Sequence, residues 1–259
     1  MANEATRPTA RLDGRVALIT GSGGGMGRAH ALLMAERGAG IVVHDINAKG
    51  AEETAALVRK TGARAEVIVR DVADIASMQR DIRAAEARMG SIDILINNAG
   101  IDDDRPIEGY DEASFQRMFD VHVKGGFFAT QAVVPGMKAR KRGKIINISS
   151  IWGMTGHTSD SVYCGAKAAL LGLTKAWAKE FAQWNIHVNA ICPGGVVTAM
   201  AMGPEGMAAI ARKAEGVPLK RYAEPVEISY AVAFLASAEA DFITGQVISP
   251  NGGQVIVGI

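Results

Sequence analysis

The stretch "VALITGSGGGMGRAHALLMAERG", Val16 to Gly38, decides the fold. A short apolar run of strand formers passes into a glycine cluster, and the cluster opens a segment of helix formers. Such a turn lets the backbone approach a pyrophosphate, which then rests on the N–H groups at the helix start. The common G-x-G-x-x-G spacing is not met; Gly21, Gly25 and Gly27 give T-G-x-x-x-G-x-G instead. Glycine also serves any turn that needs positive φ, so its position between strand and helix carries the reading.

The next apolar run ends at Asp45, 24 residues after Gly21. That is the separation expected of an acid that accepts a hydrogen bond from the adenosine ribose 2′-hydroxyl. A carboxylate there repels a 2′-phosphate, and Ile46 and Asn47 follow it rather than a basic residue. The pattern favours NAD over NADP. The competing reading is an Asp that caps the following helix.

Similar runs recur along the chain: "VALIT" at Val16, "IVVHD" at Ile41, "AEVIV" at Ala65, "IDILI" at Ile92, "KIINIS" at Lys144, "IHVNAI" at Ile186 and "GQVIS" at Gly245. Apolar runs without alternation are the mark of strands covered on both faces. Helical patterns fill most of the gaps, which predicts an α/β fold with right-handed crossovers and a doubly wound parallel sheet. No composition break, linker or internal repeat divides it. A loose tail over residues 1–11 and one domain over 12–259 are expected.

Composition narrows the function. A chain of 259 residues, 48% hydrophobic and 21% charged, can bury one large core. A net charge of +1 gives no electrostatic case for nucleic acid or a membrane surface. The basic run Lys138 to Lys144 and the acidic run Asp102 to Asp104 read as solvated loops. Cys164 and Cys192 form no disulfide framework, and His30, His44, His157 and His187 share no metal spacing, so no metal is expected. Those histidines read as surface or satisfied core residues. Neither a leader nor a membrane-spanning run is present, and a cytoplasmic protein is expected.

One further motif carries chemistry. In "YCGAK", Tyr163 and Lys167 stand four apart, on the same face of a helix. A phenol has a pKa of about 10, and a nearby ammonium lowers it. Bringing it to about 7 takes roughly 4 kcal/mol, within reach of a lysine plus a second cation in a partly dry site.

Four features then agree: "TGSGGGMG" from Thr20, "NNAG" from Asn97, Ser150 thirteen residues before Tyr163, and "PGGVVT" from Pro193. Together they resemble the short-chain dehydrogenase/reductase family over nearly the whole chain. The resemblance implies a Rossmann fold whose parallel sheet uses the seven apolar runs above, a nicotinamide dinucleotide and, usually, a homotetramer. It implies that Gly21, Gly25, Met26 and Gly27 hold the pyrophosphate side, Asp45 and Ile46 the adenosine ribose, and Asp71 and Val72 the adenine. Asn98, Ala99 and Gly100 would line the cofactor beyond the fourth strand, and Val196 and Thr198 would hold the carboxamide. Tyr163 would be the acid/base, Lys167 its tuner and ribose anchor, and Ser150 the donor to the substrate oxygen.

Two positions depart from the family. His122, in "FDVHVKG", stands where Asn is usual, and "PNGG" at Pro250 replaces the usual Asp-Gly-Gly. Asn suits a turn as well as Asp does. At the other position, the resemblance implies an Asn side chain that fixes a helix bend and a backbone carbonyl that holds a water of the proton relay. A neutral imidazole donates from one nitrogen and accepts at the other. His122 is therefore expected to replace the amide and to give turnover an acidic limb near its ordinary pKa of about 6.5.

The function expected is NAD-dependent interconversion of a secondary alcohol and its ketone. Alternatives are a 3-hydroxyacyl or 3-oxoacyl thioester substrate, for which "DVHVKG" is similar, and a non-catalytic NAD sensor, against which Ser150, Tyr163 and Lys167 argue. Trp152 and Met200 suggest an apolar substrate wall, hence a small apolar substrate. Leu170, Leu171, Leu173, Trp177 and Phe181 cover more than one face of the helix expected from Val162 to Trp184, and "VIVGI" ends the chain. Both suggest a tetramer of two-fold symmetry.

Overall fold

The computed structural model describes residues 10–257. Its strands are Val16–Thr20 (β1), Gly40–Asp45 (β2), Ala65–Val69 (β3), Ile94–Asn97 (β4), Gly143–Ile148 (β5), Ile186–Ile191 (β6) and Val247–Ile248 (β7). They form one parallel sheet in the order β3-β2-β1-β4-β5-β6-β7, the doubly wound arrangement expected. Every residue of β1, β4 and β5 is buried, which is why these runs carry no polar alternation.

Helices Gly25–Glu36 (α1), Ala48–Lys60 (α2), Ile75–Met89 (α3), Glu112–Phe119 (α4), Gly125–Arg140 (α5), Trp152–Thr155 (α6), Ser161–Phe181 (α7), Ala199–Met202 (α8), Met207–Ala214 (α9) and Pro225–Ala236 (α10) fill the connections. On one face α1, α2 and α10 bury Met34, Val58 and Val232; on the other, α3, α5 and α7 bury Ile82, Val133 and Trp177. Each such side chain contributes about 1.5–3 kcal/mol by leaving water. The α2 cap is Asn47, whose side chain accepts the Gly50 N–H at 3.1 Å. The cap reading of Asp45 is thereby set aside.

The chain order reverses at β1, which lies between β2 and β4. Open α/β sheets bind ligands beyond the strand ends at that switch point. Register brings the ends together: Thr20 lies beside His44, Ile19 beside Ile96, and Asn97 beside Asn147. A buried polar chain ties this sheet to α7. Asn97 donates to Asn147 Oδ1 at 2.8 Å, and Asn147 donates to Thr174 Oγ1 at 2.8 Å.

The tail was expected over residues 1–11. Residues 1–9 lie outside those described, but Ala10 is buried and its N–H donates to Glu239 at 2.7 Å. At the other end Asn251 closes its turn, accepting the Gly253 N–H at 2.9 Å and donating to Val255 O at 2.8 Å. Asparagine serves this turn through its own side chain.

Candidate active site

Gly24 caps α1 without any side-chain hydrogen bond. The first N–H groups of the helix therefore lack an intrahelical acceptor, and Gly25, Met26 and Gly27 line a cleft of about 360 Å³. Gly25 has φ of 51°, and a Cβ there would meet only Thr198 Cγ2 across the cleft, at 3.8 Å. Gly27 and Gly21 are required by close packing instead. A Cβ would lie 2.1 Å from Gly21 O in the first case and 2.8 Å from Ala99 Cα in the second. Asn98 staples the two strand ends, donating to Thr20 O at 2.9 Å and Gly21 O at 3.0 Å. Thr20 Oγ1 accepts the N–H groups of Asn98 and Ala99, both at 3.0 Å.

Asp45 closes the glycine turn onto β2. Its Oδ2 accepts the Gly23 N–H at 2.7 Å and its Oδ1 the Asn47 N–H at 2.8 Å. Ile46, 63% exposed, borders the same end of the cleft, with Asp71 and buried Val72. Sequence reasoning missed two cations here. Arg117 donates to Asp71 at 2.8 Å, and Arg70 to Asp81 at 3.0 Å. Arg70 precedes Asp71 and was legible as a neighbour; Arg117 arrives from α4 only through the fold.

Tyr163 and Lys167 lie on the first turns of α7, at the cleft's centre, with Ser150 just past β5. Lys167 is buried, and its Nζ donates to Ile148 O at 2.9 Å and sits 5.4 Å from the Tyr163 ring centre. Burial pulls the ammonium down to about 8. The same burial pushes the Tyr163 hydroxyl above its ordinary range; contact with Ser150 opposes that rise, while Asp102 and Asp160 add to it. The expected lowering by Lys167 is thus not achieved by the chain's own groups, because desolvation of the phenolate outweighs it.

His122 sits in a π-helical turn, Asp120–Lys124, between α4 and α5. Its ring packs on Gly100, where a Cβ would meet Cε1 at 2.6 Å, and edge-on to Tyr163 at 5.4 Å. Only Nε2 is engaged: it lies 2.8 Å from Ile101 O and 3.1 Å from the Ile101 N. Nδ1 is buried without a partner. One nitrogen donates or accepts, according to tautomer, whereas an amide does both at once. The expected use of both ring nitrogens is therefore corrected. Burial, with Lys167 adding to it, also holds His122 well below the ordinary imidazole range. An acidic limb near the ordinary value is not to be expected from this residue.

A second cleft of about 190 Å³ adjoins the first, sharing Met26, Tyr163, Thr198 and Met200. Trp152, stacked on His157 at 4.4 Å, Val196 and Met200 give it an apolar side. Its other lining was not foreseen: Asp102, Asp160, Lys213, Tyr222 and Gln254. Asp102 is a rim residue of this cleft, not merely part of a solvated loop. The wall is mixed rather than uniformly apolar.

The residues fit a nicotinamide dinucleotide. An uncapped helix start with no Cβ in the way suits a pyrophosphate, the acid at the end of β2 suits a ribose, and Thr198, Tyr163 and Lys167 border the far end. No helix among the described residues is long and apolar enough to cross a membrane.

Comparison with known proteins agrees with this geometry. Residues 21–254 match the sequence model of a family described as enoyl-(acyl carrier protein) reductase. The chain is 37% identical over 248 residues to the 3-oxoacyl-[acyl-carrier-protein] reductase of Thermotoga maritima, covering 95% of this chain and all 100% of that one. A gluconate 5-dehydrogenase from Burkholderia cenocepacia, solved with NADP and tartrate, is 38% identical with a TM-score of 0.88, covering 95% of this chain and 96% of the other. The carveol dehydrogenase of Mycobacterium avium, solved with NAD, is 29% identical with a TM-score of 0.91, covering 94% and 98%. The chain belongs to the short-chain dehydrogenase/reductase family of oxidoreductases.

Proposed function

We propose that this protein is an NAD-dependent dehydrogenase that interconverts a secondary alcohol and its ketone. The observation that carries the reading is Tyr163, shared by two adjoining clefts, with Lys167 and the uncapped start of α1 in the first and Ser150 in the second. When bound, the dinucleotide supplies the hydride acceptor or donor. The chain has to orient the carbinol and move one proton. Ser150 donates a hydrogen bond to the substrate oxygen, and the Tyr163 phenolate takes the hydroxyl proton as the carbon gives up its hydride. Lys167, 5.4 Å from the Tyr163 ring centre, anchors the ribose, and the further positive charge that the phenolate needs against its burial would come from the oxidised dinucleotide. Trp152 and Met200 shield the reacting carbon from water, and Val196 and Thr198 hold the carboxamide.

Asp45 supports NAD over NADP, since its carboxylate opposes a 2′-phosphate. The two arginines nearby do not offset it, because Arg70 and Arg117 are already paired with Asp81 and Asp71. A 3-hydroxyacyl or 3-oxoacyl thioester is the second reading, favoured by likeness to the Thermotoga reductase. The test is turnover of alcohols, ketones and 3-oxoacyl thioesters with both dinucleotides. Tyr163→Phe should lower kcat by about 10²-fold or more, the lower range for a positioned acid/base, with NAD affinity little changed. Near-wild-type turnover in that variant would remove Tyr163 from the chemistry.

We also propose a homotetramer, though not for the reason the sequence suggested. Leu170, Trp177 and Phe181 are buried within their own chain. Phe115, Phe127, Phe242, Ile256 and Val257 are among the exposed apolar residues, and β7 is an open sheet edge; Gly258 and Ile259 lie outside the described residues. Light scattering at micromolar concentration should give four times the monomer mass, and a monomer mass would refute the assembly.

A further inference from the structure

Asp160 is the N-cap residue of α7, three positions before Tyr163. An Asp there ordinarily accepts a hydrogen bond from the helix backbone, worth about 0.5–2 kcal/mol. This one makes no cap bond. The residue is 5% exposed, its Oδ1 is buried without any partner, and it lines the second cleft beside Ser150 and Tyr163. A buried oxygen left unpaired costs about 1–3 kcal/mol. The helix thus forgoes a cap and leaves an acceptor unmatched, and a ligand that donates to Asp160 from the cleft would supply the missing partner.

The acidic run reaches the same cleft. Asp103 is paired with Arg105, whereas Asp102 lines the cleft and makes no ion pair among the described residues. Burial and the charges of Asp102, Asp104 and Asp103 push Asp160 up to about 7. Among the described residues these acids do not form a group that could hold a metal ion. Lys213 lines the same cleft with Gln254. Acceptors and donors therefore face one space. A hydroxyl group both donates and accepts, whereas a substrate ammonium would meet Lys213 as a like charge.

We propose that Asp160 and Asp102 form a hydroxyl-binding subsite, so that the substrate is a polyol or its ketone rather than a simple apolar alcohol. Building on the dehydrogenase reading, the inference makes Ser150 and Tyr163 act on one carbinol while Asp160 accepts from a second hydroxyl of the same molecule. The apolar wall of Trp152 and Met200 then covers the carbon chain between them.

The test pairs substrates and variants. Butane-2,3-diol is compared with 2-butanol, and five- and six-carbon sugar alcohols with 2-pentanol and 2-hexanol, in wild type, Asp160→Asn and Asp160→Ala. Asp160→Asn keeps the size of the side chain and one acceptor oxygen without the charge, so it guards the fold and should keep more of the polyol preference than Asp160→Ala. Wild type should prefer the polyols, and Asp160→Ala, compared at each enzyme's own pH optimum, should lower kcat/KM for them about 10- to 100-fold more than for the mono-alcohols, the range for a hydrogen bond to a charged group. Saturation-transfer NMR of the same polyols, with and without NAD, reads the subsite without turnover. Polyol binding that vanishes in Asp160→Ala without any turnover in wild type would leave the subsite standing and sink the dehydrogenase reading. Equal loss for polyols and mono-alcohols, no polyol binding in wild type, or preference for a matched amino alcohol would each overturn the subsite.

Discussion

The two ends of the cleft are built differently. At the dinucleotide end the walls are backbone: glycines packed so closely on neighbouring main chain that a Cβ would lie 2.1 and 2.8 Å from it, an uncapped helix start, and strand ends tied by Thr20 and Asn98. At the substrate end they are side chains carried by short helices and a loop, among them Trp152, Met200, Asp102 and Asp160. Backbone geometry tolerates few residue types, so it leaves a spaced motif in the sequence. A side-chain wall admits many solutions, and its members come from segments far apart in the chain.

The comparison is most exposed at Asp45, where the dinucleotide end depends on one side chain. Its carboxylate holds the Gly23 and Asn47 N–H groups and, in the NAD-dependent reading proposed above, also opposes a 2′-phosphate. Asp45→Ala should lose both. The ratio of kcat/KM for NAD to that for NADP should fall about 10-fold or more, corresponding to about 1.4 kcal/mol, and the thermal midpoint should drop because two backbone donors lose their acceptor. Asp45→Asn keeps an acceptor oxygen without the charge, so it should narrow the ratio while preserving more of the stability. An unchanged ratio in both variants would mean that the cofactor preference is set elsewhere, with Arg70 and Arg117 the next groups to examine.

That split explains how much was legible. Strands β1, β2, β4, β5 and β6 were readable because burial on both faces keeps them mostly apolar, whereas β3 and β7 are partly exposed and were readable by their strand-forming residues alone. Gly21, Gly25 and Gly27 were readable because a Cβ there is either blocked or would stand in the cleft. Asp160 was not, since an Asp before a helix reads as a cap, and only the structure finds its side chain turned away. Arg117 was hidden for another reason: its partner Asp71 lies 46 residues away. The Asn251 turn could be anticipated, since its bonds are local. The pairing of His122 could not, since Ile101 comes from the loop after β4.

His122 joins the two ends, and the effect expected on its removal is the smallest for turnover. An imidazole that stays neutral throughout the working range does not gate the reaction. The pH dependence of kcat should therefore be the same in wild type and His122→Asn from about pH 5 to 8, although the ordinary histidine value of about 6.5 lies inside that range. Its signature belongs in stability instead. His122 is held well below its ordinary value, as burial holds His44 at about 4 and His30 at about 3. A base whose folded pKa is lowered binds fewer protons when native than when unfolded. Stability is then lost as pH falls below about 6.5, by about 1.4 kcal/mol per pH unit for each histidine, until the folded value is reached. His30 and His44 alone make the slope about 3 kcal/mol per unit between about pH 6 and 5, and His122 adds to it in the same direction. Asparagine at 122 removes one of them, so proton uptake on unfolding at pH 5 should fall by about one. Calorimetric unfolding in buffers of different ionisation enthalpy measures that uptake. If kcat of wild type instead falls through pH 6.5 and that of His122→Asn does not, the imidazole titrates in the native enzyme, and its burial does not govern it.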